Sequence, residues 1–386
     1  MRFIPVFFAF LALAGCKLNS KSEQQQSQTD STTWALLPFE KVDSLNPVIT
    51  PSPTQTFQDP IRKQAVRWEE KDVFNPAAVV RDGKVHLLYR AEDVIGKFAG
   101  TSRIGLAISD DGLHFRKEPA PIFFPDNDAW KKYEWEGGCE DPRVVESPDD
   151  SPSGRQYVMT YTSYDGKTAR LMLATSPDLR RWTKHGPVLG EGKFRDTWSK
   201  SGAIVARRRG ERIVAEKLNG KYWMYFGDTN LFVATSDDLI HWAPLEETGV
   251  TADSIRNAGG VSLKSVLKPR PGTFDSQLVE PGPYALLTDR GIVLIYNAAN
   301  RGDTNDPVLP KMTYAAGQAL FSASDPTRLE ARLDQNFFYP DKPYELVGQI
   351  NNVVFLEGLV PFRGNWYLYY GTADSKIAVA VRRGID

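Results

Sequence analysis

The body of the chain repeats itself. A repeat constrains the fold strongly, because each copy must be one structural unit that buries its apolar face against its neighbours. One recurring element is a serine, an Asp or Pro, an Asp and then an aromatic. It appears as Ser109-Asp110-Asp111-Gly112-Leu113-His114-Phe115, as Ser176-Pro177-Asp178-Leu179-Arg180-Arg181-Trp182 and as Ser236-Asp237-Asp238-Leu239-Ile240-His241-Trp242, with Ser324-Asp325-Pro326 as a weaker copy. Short β-like runs precede them at Ile104–Ile108, Leu171–Thr175, Leu231–Thr235 and Ala319–Ser322. A second element opens each unit with a polar residue, a small residue or Pro, an apolar strand, a turn and an aromatic-rich strand. Its copies run from Asn75-Pro76 to Arg90, Asp141-Pro142 to Tyr161, Lys200-Ser201 to Phe226, Glu280-Pro281 to Tyr296, and Glu357-Gly358 to Tyr370. Asp82-Gly83, Asn219-Gly220 and Arg363-Gly364 supply hairpin turns. These openings predict an all-β fold, a five-bladed β-propeller with about four strands per blade around a central channel. The interval holding Thr251–Lys268 is expected to make a longer excursion over one face.

The ends and the charges narrow the setting. Met1-Arg2 precedes an apolar run from Phe3 to Leu13 that ends in Leu13-Ala14-Gly15-Cys16, the pattern of an export signal too short for a comfortable membrane span. The ending resembles a bacterial lipoprotein cleavage site, so residues 1–16 are expected to be a signal peptide with an acylated Cys16. The expected location is the cell envelope, on the periplasmic side, with the lipid on Cys16 holding the membrane. Lys17 to Thr33 is Gln- and Ser-rich without apolar periodicity and reads as a disordered tether. Residues 34–386 then form the propeller. Lys+Arg is 47 against Asp+Glu 48, which leaves no basic field for nucleic acid. Cys139 is the one other cysteine and only 4 His are present, so neither an internal disulfide nor a zinc cluster is expected, and no cofactor. Cys139 reads as a small buried residue beside the site.

In a propeller the first strands of all blades start at one mouth of the channel, and side chains there share a funnel whatever their separation in sequence. The starts carry Asn75, Glu140, Asp141, Arg143, Lys200, Glu280 and Glu357. Carboxylates and cations converging on one funnel suit acid–base work on a neutral, hydroxyl-rich substrate. The alternative is a set of strand-end caps that bind one another.

Several stretches together resemble glycoside hydrolase family 130. They are Gly137-Gly138 before Glu140-Asp141-Pro142-Arg143, Asn75-Pro76 through Leu88-Tyr89-Arg90, Ile104-Gly105-Leu106-Ala107-Ile108-Ser109, and Tyr369-Tyr370-Gly371-Thr372-Ala373-Asp374. The resemblance spans roughly Phe74 to Val381. It implies a five-bladed propeller that cleaves β-mannosidic bonds of an oligosaccharide with inversion, as a hydrolase or as a phosphorylase. By motif it makes Asp141 the acid, acting through a substrate hydroxyl. Arg143 would hold substrate or tune that acid, Asn75 and Arg90 would line the sugar or phosphate subsite, and Asp374 would sit near the mannose hydroxyls.

A phosphorylase needs cations and no protein base, whereas an inverting hydrolase needs a second carboxylate. Arg90, Arg143 and Lys200 suit phosphate. The phosphorylases resembled here carry a His-Arg pair after the third aromatic strand, where this chain has Phe226-Gly227-Asp228. That difference and the export signal favour hydrolysis, with Glu280, Glu216 and Glu357 as candidate bases. Glu216, within Ala215-Glu216-Lys217, reads equally well as a strand-edge ion pair. A non-catalytic glycan-binding propeller, or a related glycosidase for arabinosides or fructosides, completes the alternatives.

Overall fold

Each opening lies in, or within a few residues of, the first strand of a sheet in the computed structural model, which describes residues 32–385 apart from 152–153, 248–261 and 302–308. The expected signal segment, Cys16 and nearly all of the tether lie outside the described residues. The first sheet contains Asp72–Arg81, Lys84–Glu92, Ser102–Ser109 and Arg116–Lys117. The second contains Gly138–Glu146, Tyr157–Tyr164, Ala169–Ser176 and Thr183–Pro187. The third has Ala203–Arg209, Tyr222–Phe226, Leu231–Ser236 and Trp242–Pro244. The fourth has Leu278–Pro281, Gly291–Ala299, Tyr314–Phe321 and Leu329–Arg332. The fifth has Val354–Phe362, Asn365–Thr372 and Lys376–Arg383, and is completed by Glu40–Lys41 from the other end of the chain. Among the described residues the helices are the short Lys131–Glu134 and Pro343–Leu346, so the chain is all-β.

Successive sheets pack through shared apolar clusters. Val85, Leu87 and Tyr89 of the first sheet meet Val360, Phe362 and Tyr369 of the fifth. Leu88, Ile104 and Leu106 meet Met159, Tyr161 and Met172 of the second. Val205 and Tyr225 of the third meet Ile292, Leu294 and Phe321 of the fourth. Val354–Phe362 is buried along its whole length and reads as a near-continuous apolar run, whereas Gly138–Glu146 is equally buried although it carries Glu140, Asp141, Arg143 and Glu146. The third sheet is the irregular one. Ala203–Ile204 pair with Met224–Tyr225, whereas Ala206–Arg209 pair with Arg212–Ala215, and Val205–Arg207 run parallel to Ala285–Leu287. Of the expected excursion, Ser265–Leu267 instead makes a strand against Leu231–Phe232. The part from Thr251 to residue 261 lies outside the described residues.

The repeated motifs have local causes. In the serine motif the Asp side chain takes two backbone N–H groups, Leu113 and His114 on Asp111, Arg180 and Arg181 on Asp178, Ile240 and His241 on Asp238, all within 2.8–3.0 Å. Such an Asp turn reverses the chain between the third and fourth strands. Both residues of Asp82-Gly83, Asn219-Gly220 and Arg363-Gly364 have positive φ, as a type I′ hairpin requires.

A further repeat is invisible in the sequence. Tyr89, Tyr161, Tyr296 and Tyr370, from the second strands, donate to buried Glu69, Glu134, Asp275 and Glu345 at 2.8–2.9 Å. Each of these carboxylates is paired with a cation, respectively Lys117, Lys184, Arg332 and Lys41, from its sheet's fourth strand. These buried charges are tolerable because each is both paired and hydrogen-bonded. The third sheet departs again, with the Tyr225 hydroxyl donating to the Pro326 carbonyl.

Candidate active site

On the first, second and fifth sheets the polar residue and the Pro or Gly that open a unit make a β-bulge, whereas Glu280-Pro281 on the fourth pairs in unbroken register with Asn297 and Tyr296. On the first sheet the register passes from Phe74–Arg90 to Pro76–Tyr89, which leaves Asn75 unpaired. On the second it jumps from Glu140–Thr162 to Arg143–Thr160, across Asp141-Pro142. On the fifth it passes from Leu356–Tyr370 to Gly358–Tyr369, across Glu357. Proline lacks the N–H that a ladder would use, so Pro76 and Pro142 fit there without loss. A bulge re-aims one side chain. Asn75 and Asp141, and Ser201 at the corresponding point of the third unit, take φ of 46°, 48° and 55°, a conformation costly for residues other than glycine.

The bulges bring distant residues together. Asn75 Nδ2 donates to Asp141 Oδ1 at 3.0 Å. The Arg90 guanidinium reaches Asp141 Oδ1 and Glu140 Oε2 at 3.2 Å each and Glu92 Oε1 at 2.7 Å, and it lies over the Phe74 ring at 4.7 Å. Lys200 Nζ is 3.8 Å from Asp141 Oδ2. The Ser201 hydroxyl donates to Glu280 Oε1. Gly371 makes room for this packing: a Cβ there would stand 2.4 Å from Asn75 Oδ1.

Electrostatics separate the carboxylates. Burial would raise Asp141, but Arg90, Lys200 and the Asn75 amide hold it below the ordinary carboxylate range. Its neighbour Glu140 is pushed up to about 7 by burial and by the Asp141 charge, against the pull of Arg90. The two titrate as a pair. Asp374 is likewise raised to about 7 by burial, with Arg90 opposing and Asp141 adding to the rise. Burial also raises Glu280, although Lys200 offsets part of this, and raises Glu357 well above its usual value. For Lys200, burial opposes the charge, but Glu280, Asp141 and Glu140 outweigh it and keep the ammonium protonated.

Not every expected residue serves in the way the sequence suggests. The Arg143 guanidinium is committed to protein: it donates to the Gly282, Pro281 and Asp141 carbonyls at 2.6, 2.7 and 3.2 Å and faces Glu357 at 3.4 Å. It braces the second, fourth and fifth sheets and has little left for a substrate, but its charge helps hold Asp141 down, the tuning role that the resemblance also allowed. Glu357 is buried beneath the site, held there because Asn297 bonds both backbone groups of Leu356. Asp228 accepts the Trp198 indole N–H at 2.7 Å and acts electrostatically on Lys200 and Glu280.

Glu216 is not brought to this cluster. It pairs with Arg209 at 2.9 Å and lines a separate cavity of about 770 Å³ with Ser147, His185 and Tyr222. Val214 pairs with Glu146, the last residue of the strand that carries Asp141, and at about 3.3 Å per residue that end lies roughly 15 Å from the acid. Three neighbours escape the sequence reading. Glu92 shares a strand face with Arg90 at i+2, a signal that the alternation contains. Ser201 carries the bulge conformation next to Lys200. Tyr314, whose hydroxyl is raised by burial and by the charges of Glu280, Asp374 and Asp228, has no sequence signal of this kind. Cys139 is buried as expected, and burial pushes its thiol up.

The family model described as β-1,4-mannooligosaccharide phosphorylase matches residues 40–384. A 1,2-β-oligomannan phosphorylase from Thermoanaerobacter sp. is 32% identical over 323 residues, 81% of this chain and 90% of its own. A glycosyl hydrolase of Bacteroides ovatus superposes with a TM-score of 0.83 at 47% identity, over 91% of this chain and 94% of that one. A further structure, solved in work on glycoside hydrolases that target β-1,2-mannosidic linkages in Candida mannan, has a TM-score of 0.83 and 46% identity, over 91% of this chain and 95% of its own.

Proposed function

The chain belongs to glycoside hydrolase family 130, and from that premise we propose that it is an inverting hydrolase of β-1,2-mannosides, with its five sheets as the blades of a propeller around the Asp141 cluster. It is an enzyme of a family acting on mannosidic linkages. The finer reading rests chiefly on one observation: the cations that phosphate would need are already engaged by protein. Arg143 is spent on three carbonyls and Glu357, and Arg90 on Glu92, Glu140 and Asp141. Lys200 is left to face Asp141 and Glu280, with Asp228 adding negative charge. A phosphate dianion entering among these carboxylates meets repulsion that a water molecule does not.

In this reading Asp141 delivers the proton to the departing oxygen through a sugar hydroxyl. In the resting site the proton of the Glu140–Asp141 pair is held on Glu140, raised to about 7, while Asp141 is kept low by Arg90 and Lys200, so Asp141 takes up its proton once bound substrate alters that balance. Glu280 activates water from the opposite side. Its raised pKa makes it a stronger base, and the Ser201 hydroxyl fixes its orientation. Lys200, 3.8 Å from Asp141, acts electrostatically on Glu280 as well, and Asn75 and Arg90 orient Asp141. The same proposal takes the enzyme to be held in the envelope by a lipid anchor, a reading supported by the Leu13-Ala14-Gly15-Cys16 ending, where mannose 1-phosphate could not simply diffuse inward. Phosphorolysis is the second reading, favoured by the 32% identical oligomannan phosphorylase. Both readings share the acid, so Asp141→Asn tests the site itself. Turnover of β-1,2-mannobiose should fall roughly 10²–10⁴-fold, and a rate within tenfold of the parent would remove Asp141 from that role.

A further inference from the structure

Trp198 is 47% exposed, whereas its neighbours Thr197 and Ser199 are 1% and 3% exposed. The backbone beneath it is pinned on both sides. The Thr197 N–H bonds the Phe194 carbonyl at 3.0 Å and the Ser199 N–H bonds the Ala169 carbonyl at 3.1 Å. The Ser199 hydroxyl oxygen also accepts the Leu171 N–H at 3.0 Å. The indole is itself held, because its N–H donates to Asp228 Oδ2 at 2.7 Å. Asp228 is no remote anchor. The N–H of Gly227, just before it, bonds the Lys200 carbonyl at 2.9 Å, and the Asp228 charge acts on Lys200, Glu280 and Tyr314. A large flat apolar ring is thus presented to solvent at the border of the catalytic cluster, with its tilt fixed by a residue of that cluster. A single exposed apolar side chain needs no explanation. One held by a rigid backbone and by a hydrogen bond from its own edge is preorganised for a ligand.

We infer that the Trp198 indole is a stacking platform for a sugar ring of the bound oligosaccharide, the ring adjoining the unit whose linkage is cut. The apolar C–H face of a pyranose lies flat on an aromatic ring while its hydroxyls stay in water or reach polar groups at the edge. Asp228, at that edge, keeps the face of the indole turned to the ligand. The inference rests on the mannoside reading, and it adds a determinant of chain length: a substrate with a second ring gains the platform and a monosaccharide does not.

The test uses an Asp141→Asn parent, whose turnover is slowed roughly 10²–10⁴-fold, titrated calorimetrically with mannose, β-1,2-mannobiose and β-1,2-mannotriose. Adding Trp198→Ala should weaken oligosaccharide binding about tenfold, the scale of one aromatic contact, and leave mannose binding within about twofold. Adding Trp198→Phe keeps a ring and should lose no more than about threefold. The platform is overturned if Trp198→Ala binds the oligosaccharides within about twofold of the parent. It is equally overturned if mannose binding falls as far as oligosaccharide binding, or if Phe does no better than Ala. Failure of the parent itself to bind any of the three would overturn the mannoside reading, and this platform with it.

Discussion

Replacing Asp374 by Asn should make the protein more stable at alkaline pH and leave it unchanged in acid. Asp374 sits at φ 50°, a left-handed conformation that Asn accepts as readily as Asp, so the exchange introduces no new backbone strain. Its carboxyl is raised from 3.8 to about 7 by burial, with Arg90 pulling down and Asp141 and Glu92 pushing up. A group whose folded pKa is raised contributes stability that is fully present below its unfolded pKa and is lost as pH rises through the folded one. For Asp374 the loss runs from about pH 4 to about pH 7. At 1.36 kcal/mol per unit the shift corresponds to about 4 kcal/mol, and partial exposure reduces this to about 2–4 kcal/mol. Denaturant unfolding of wild type and Asp374→Asn at pH 4.5 and pH 8 measures it directly. The variant should match wild type near pH 4.5 and exceed it by about 2–4 kcal/mol at pH 8, while losing activity. A stability difference that is the same at both pH values, or a variant less stable at pH 8, would refute the argument that burial strains this carboxylate.

Two further outcomes follow from packing. Gly371→Ala places a methyl 2.4 Å from Asn75 Oδ1 and 3.1 Å from its backbone nitrogen, so Asn75 must leave Asp141. Turnover should fall by more than about tenfold with an unchanged circular dichroism spectrum, and wild-type activity would show that Asn75 does not orient the acid. Tyr370→Phe removes the hydroxyl that donates to buried Glu345 at 2.9 Å, and should cost about 1–3 kcal/mol in thermal or chemical unfolding while leaving kcat within twofold.

The repeat was legible because its causes are local. An Asp that captures two following N–H groups, a two-residue hairpin turn and a polar residue before Pro each leave a signature within a few positions, and all three recur. The polar-Pro openings also pointed to the site, since the bulge that Pro tolerates is the device that turns Asn75 and Asp141 out of their strands. Residues whose partners lie far off in sequence were illegible. The Tyr–carboxylate–cation clusters draw Glu69, Glu134, Asp275 and Glu345 from connecting segments without a common pattern. Glu216 shows the same limit in reverse: the local sequence places it beside a strand but does not say which end of the barrel of strands it faces, and the irregular third sheet carries it to the far end. Arg143 lies in the expected place, but its commitment to the Pro281 and Gly282 carbonyls is a contact across sheets that no motif encodes.

The most direct test of the account is the fate of the mannosyl unit. Purified enzyme is given β-1,2-mannobiose in ¹⁸O-labelled water, with and without inorganic phosphate, and the anomeric products are followed by NMR and mass spectrometry. The account predicts free mannose, released first as the α-anomer, carrying the label at its anomeric oxygen, at a rate indifferent to phosphate. Unlabelled α-mannose 1-phosphate as the main product, formed at a rate that rises with phosphate, would contradict it.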